Sequence, residues 1–120
     1  MKRCATLILL LIAAPALTGC ATDPPAVTPA EEAEIRLACE ERWGGNWSGR
    51  ATCVELETEG LRRVQQLLAE NNVQEGDTTP EAEIFEGCAL KWRSIYGHTR
   101  WSGVATCFEL QLDGYRRLHP

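Results

Sequence analysis

The sequence is short of several things, and each shortage removes a class of function. No apolar stretch reaches the roughly 18 residues that a membrane-spanning helix needs. The longest runs from Ala5 to Leu17, about 13 residues, and is interrupted by Thr6 and Pro15. Positive charge is scarce, with 12 Lys and Arg against 17 Asp and Glu. DNA and RNA binding draws its affinity largely from phosphate neutralisation, so no nucleic-acid partner is expected of an acidic chain. There are 2 histidines, and the 6 cysteines contain no C-x-x-C pair. That speaks against a dithiol redox site and against the paired ligands of a structural zinc. Serine, histidine and acidic residues show no recurrent spacing that would set a nucleophile beside its base. The expectation is a non-enzymatic protein without metal or cofactor.

What the chain does have begins with an address. Lys2 and Arg3 precede the apolar run, which is the charge pattern of a secretion signal. The run closes on Leu17-Thr18-Gly19-Cys20, which resembles the lipobox of bacterial lipoproteins. The resemblance implies that residues 1–19 are removed, that Cys20 carries a diacylglyceryl group on its sulfur, and that the new amine is acylated. Several acyl chains make attachment durable, whereas one holds a protein at a membrane only marginally. In such lipoproteins an Asp after the lipidated Cys favours the inner membrane, and the residue here is Ala21. The implied location is therefore the bacterial cell envelope, on the outer membrane facing the periplasm. Residues 20–30 contain Pro24, Pro25 and Pro29 and no hydrophobic periodicity. They read as an extended tether, reaching about 30 Å at about 3.1 Å per residue.

The rest of the chain is organised by an internal repeat. Residues 32–64 and 81–118 share 17 of 33 positions once five residues are inserted in the second copy between Trp92 and Trp101. Unrelated segments would share about two, given residue frequencies of several per cent. The shared Ile35/Ile84, Cys39/Cys88 and Trp43/Trp92 fall four residues apart, on one face of a helix. After a turn, Cys53, Leu56, Gly60, Val64 and Leu67 keep a helical rhythm that Cys107, Leu110, Gly114 and Leu118 echo. The fold class is all-α, with two tandem helical hairpins over residues 31–70 and 80–120 and a linker at 71–79. Whether the hairpins form one four-helix unit stays open. Thr28-Pro29 and Thr79-Pro80 supply a cap and a first-turn Pro for each hairpin. The second helices are expected to start near 50 and 104, where Ser48 and Ser102, or the Thr52–Glu55 and Thr106–Glu109 pairs, offer caps. Gly60 and Gly114 inside these helices suggest a close approach by another helix, or a kink in the case of Gly114.

So small a domain needs covalent support. With Cys4 lost and Cys20 lipidated, four cysteines remain, two per hairpin. The repeat selects disulfides Cys39–Cys53 and Cys88–Cys107, each stabilising by about 3 kcal/mol in the chain-entropy treatment. The C-x3-W, turn, C-x-E-L unit is similar to short Cys-and-Trp helical repeats of bacterial proteins with no known activity, which implies the fold alone.

Tryptophan is dense, and its four positions are repeat positions. Trp43 and Trp92 share the cysteine face and read as core, whereas Trp47 and Trp101, in a turn-proximal W-S-G motif, suit a contact surface. Tyr96 joins them, because it lies in the inserted loop that distinguishes the second copy. His98 and His119 read as solvated. The functional expectation is a lipid-anchored interaction or structural module with an envelope protein as partner. The alternative is a binder of a cell-wall sugar or peptide through the Trp-rich turns.

Overall fold

The structure, a computed structural model, describes residues 26–120; the expected signal segment, the expected lipidation site Cys20 and the start of the expected tether lie outside the described residues. It contains helices α1 (Pro29–Trp43), α2 (Trp47–Glu70), α3 (Pro80–Lys91) and α4 (Trp101–Leu118). Among the described residues no helix is long and apolar enough to cross a membrane.

Local chemistry explains where most of these helices begin. Thr28 caps α1 in a full capping box with Glu31, and Pro29 occupies the first turn, where its missing N–H costs nothing. Thr79 and Pro80 repeat the arrangement at α3, where the Thr79 hydroxyl accepts from the Ala82 N–H. The second helices start three residues earlier than the Ser and Thr pattern predicts. Asn46 caps α2 by accepting the Gly49 N–H at 2.8 Å. Arg100 precedes α4 and gives it no side-chain cap. Neither Ser48 nor Ser102 serves as a cap, and Thr106 instead donates back to the Ser102 carbonyl.

Each hairpin is closed by its own disulfide, Cys39–Cys53 or Cys88–Cys107, with a Cα–Cα distance of 5.7 Å in both. Next to each bridge a tryptophan lies over a glycine. A Cβ on Gly49 would run into the Trp43 indole, and one on Gly103 would run into Trp92. The glycine of each W-S-G motif is therefore a seat for the indole of the facing helix. Trp43 is 44% exposed and so covers the turn rather than filling a core, which corrects the buried reading for that residue. Trp92 is half-buried against the larger apolar cluster.

The hairpins pack against each other through α2 and α4, with α1 and α3 on the outer flanks. Hydrogen-bonded partners across this interface are 45 or 46 residues apart all along it: Glu57 with Ser102, Arg63 with Glu109, Asn71 with Arg116. A constant separation means that α2 and α4 run parallel. Equivalent repeat positions, such as Cys53 and Cys107, are 54 apart. The second hairpin is thus slid along the first by about nine residues, or about 13 Å at 1.5 Å per residue. The slide puts the first turn of α4 against Gly60, where a Cβ would overlap the backbone of Trp101 and Ser102. Gly60 is the close approach that the sequence suggests. Gly114, its counterpart, faces open space within an unbroken α4.

Two apolar clusters result. The larger joins Val64 and Leu67 of α2 to Cys88, Val104, Ala105, Phe108 and Leu112 of the second hairpin. The smaller holds Ile35, Cys39, Cys53 and Leu61, with Val27 packed against it. Trp101 touches both clusters.

Candidate functional site

The five-residue insertion folds into a pinned loop between α3 and α4. Arg93 pairs with Thr99 as an antiparallel bridge, the Ser94 N–H donates to the His98 carbonyl at 2.8 Å, and the Arg100 N–H donates to the Trp92 carbonyl at 2.9 Å. Gly97 takes a φ of 83°, a left-handed value that favours glycine, and closes the turn from Ser94. The turn holds Ile95 and Tyr96 outward, 93% and 69% exposed. An isoleucine so exposed on an ordered turn makes no contribution to the core.

The loop does not project freely. His98 reaches α1 of the other hairpin, with Nε2 3.3 Å from Glu41 and Nδ1 3.9 Å from Glu34. Its side chain is partly buried there, which corrects the reading of His98 as solvated; His119 is exposed and stacks on Tyr115. Because α1 and α3 make no contact, the loop bridges the gap between the outer helices and roofs a cleft. One end of the cleft, about 420 Å³, lies between the loop and the C-terminal half of α1, with Cys53 and Glu57 of α2 also lining it. The other end, about 460 Å³, passes Trp43, Asn46 and Ser48. Arg42, Cys53, Glu57 and Arg100 line both ends.

Glu57 is the one buried charged side chain among the described residues, 5% exposed. Its carboxylate accepts the Ser102 hydroxyl at 2.5 Å and the Ser102 N–H at 3.3 Å. A carboxylate at a helix N-terminus satisfies an orphan N–H and faces the positive end of the helix dipole. Glu57 is thus the cap that α4 lacks in its own sequence. Arg42 has only a weak contact to Cys53 Sγ at 3.9 Å, and Arg100 lies 5.6 Å from the Trp92 ring centre. The Trp92 Nε1–H is buried and has no acceptor among the described residues.

Of the three residues predicted as a contact surface, only Tyr96 lines the cleft. Trp47 stands apart, 73% exposed with Arg50 over its ring at 4.4 Å. Trp101 is half-buried between the two clusters and wedges the hairpins together, so it is withdrawn from the surface. The three do not form one patch. Sequence reading also misses Arg42, Glu57 and Arg100, which come from three separate segments. The one signal that could have found Glu57 is its counterpart Gln111, a change of charge within a repeat. Among the described residues no group of His, Cys, Asp and Glu could hold a metal ion.

The chain matches no protein-family model, no curated protein and no solved structure.

Proposed function

We propose that this chain is a lipid-anchored, non-enzymatic interaction module of the bacterial cell envelope. It takes its partner in the cleft under the inserted loop. Cys20 would carry the lipid and the proline-rich segment would hold the module off the bilayer, on the side facing the periplasm. The observation that carries the reading is the loop itself: a bridged, glycine-closed turn presenting Ile95 and Tyr96 to solvent beside a cleft. Rigid exposed aromatic and aliphatic side chains at the rim of a concavity are what protein interfaces use as anchors. Glu57, the buried carboxylate of the cleft, holds Ser102 and caps α4.

Two experiments test the two halves. Labelled palmitate should enter the full chain and be lost in Cys20→Ser; label that persists in the variant would remove the anchor. A photo-cross-linker at position 96 in living cells should capture one discrete protein partner, with capture reduced by Ile95→Ser. Cross-linking that traps no protein, under conditions where a known envelope complex is trapped, would leave a cell-wall fragment as the ligand. Saturable quenching of tryptophan by such fragments would then be the confirming signal, since Trp92 lines the cleft.

A further inference from the structure

The charges around the cleft are distributed against the grain of the protein. The chain carries more acids than bases, 17 against 12. Most of its arginines in the helices are matched: Arg36 with Glu32, Arg50 with Glu40, Arg63 with Glu109 and Glu70, Arg117 with Asp113. Among the described residues, the bases without an acidic partner are Arg42, Arg62, Lys91, Arg93, Arg100 and Arg116. Four of them, Arg42, Lys91, Arg93 and Arg100, line the loop end of the cleft. The acids lining that end are Glu41, 3.3 Å from His98, and Glu57, bonded to Ser102, so the lining holds four bases against two acids.

From this we infer that the cleft selects an acidic segment, and specifically one in which carboxylates alternate with apolar side chains. The inference rests on the reading of the cleft as a docking site and names the chemistry of what docks. Unpaired positive groups around a concave, partly apolar surface focus the potential there and raise the local concentration of anions. Two of them are arginines shared by both ends of the cleft, and guanidinium forks hold carboxylates in bidentate geometry. Ala38, Cys53 and Trp92 provide apolar lining, and Ile95 and Tyr96 stand exposed at the rim. A folded-out peptide segment fits a two-ended cleft about 420 Å³ at one end and about 460 Å³ at the other; a flat charged surface does not enter it.

The test uses the full chain in an uncharged detergent and measures fluorescence anisotropy of two labelled hexapeptides, one alternating glutamate with leucine and the other lysine with leucine. The acidic peptide should bind about tenfold more tightly than its lysine twin at low salt, and raising the salt should shrink that ratio, because screening acts on the charge term alone. The double variant Arg42→Gln/Arg100→Gln should weaken the acidic peptide about tenfold, and Lys91→Gln/Arg93→Gln about threefold. Arg62→Gln/Arg116→Gln removes the same charge away from the cleft and should change binding less than about twofold. Circular dichroism melts of each variant separate lost binding from lost folding. Equal binding of the two peptides, or equal loss from the cleft and off-cleft double variants, would overturn the inference. So would displacement of the acidic peptide by N-acetylglutamate at equal carboxylate concentration, which would assign the site to small carboxylates. If position 96 captures a partner while the peptides bind alike, the docking reading survives and the acidic one falls. If the acidic peptide binds selectively while position 96 captures nothing, the charge selectivity stands and the protein-partner reading falls.

Discussion

The two hairpins agree in how they are built and differ in which face they bury. Both have the disulfide, the tryptophan seated on glycine and the Thr-Pro start. On α4, however, Val104, Ala105, Phe108 and Leu112 are buried, while their counterparts on α2, Arg50, Ala51, Val54 and Thr58, are half-buried or exposed. The reverse holds for the receiving face. Glu57 and Gly60 of α2 are buried under α4, whereas Gln111 is exposed and Gly114 meets nothing. One hairpin offers a face and the other accepts it, so the interface is heterologous. Such packing does not close on itself and would in principle continue as a row. Arg50 and Thr58 make the equivalent offering face of the first hairpin polar, which is how the outer face of an end repeat is kept soluble.

Four matched pairs of substitutions would break or sharpen this comparison. The largest difference is expected between Phe108→Ala and Val54→Ala in urea unfolding of the full chain. The first empties a fully buried site and should cost about 3–5 kcal/mol, the second about 1 kcal/mol or less. Similar losses at the two sites would mean that the hairpins do not pack as described. Next come the disulfides. Removing Cys39–Cys53 by paired Ala substitution should cost about 3 kcal/mol, and removing Cys88–Cys107 slightly more in the chain-entropy treatment, because its sequence separation is 19 against 14. Non-reducing peptide mapping should find only these two pairings.

The sharpest contrast is one of sign. Gly60→Ala should destabilise by about 1–3 kcal/mol, since its Cβ has no room against the α4 backbone. Gly114→Ala should stabilise by up to about 1 kcal/mol, because it removes a helix-interior glycine and meets no obstacle. Equal effects at the two glycines, read from thermal melts, would contradict the slide between the hairpins. The smallest pair concerns the cap. Glu57→Ala should cost about 1–2 kcal/mol and expose the α4 N-terminus to faster amide exchange, whereas Gln111→Ala should stay within about 0.5 kcal/mol.

Much of this fold is legible before any coordinates. A repeat with two cysteines per copy names the disulfides, because each pair must close within its own unit. Thr28-Pro29 and Thr79-Pro80 mark helix starts because a cap and its helix lie within one turn of sequence. The starts of α2 and α4 are misplaced for the opposite reason. Ser48 and Ser102 are locally plausible caps, yet Asn46 serves α2, and the group that caps α4 comes from Glu57 on another helix. The site is legible only in part. Tyr96 follows from its place in an insertion, but Arg42, Glu57 and Arg100 belong to segments that only packing brings together. Trp101 is misassigned because repeat equivalence with Trp47 says nothing about which copy faces the other hairpin.

The sequence by itself determines the hairpin: helical periodicity, the cysteine pairing and the Thr-Pro starts all act within a single repeat, over short chain distances. The tertiary structure decides the parallel slide of α4 along α2, the burial of Trp101, the capping of α4 by Glu57 and the cleft beneath the inserted loop. Two units built to the same local pattern can pack in several registers with the same local preferences. The register is chosen where Gly60 admits a backbone, Glu57 meets an uncapped helix and Phe108 finds Val64 and Leu67, and those are encounters between residues that no local pattern connects.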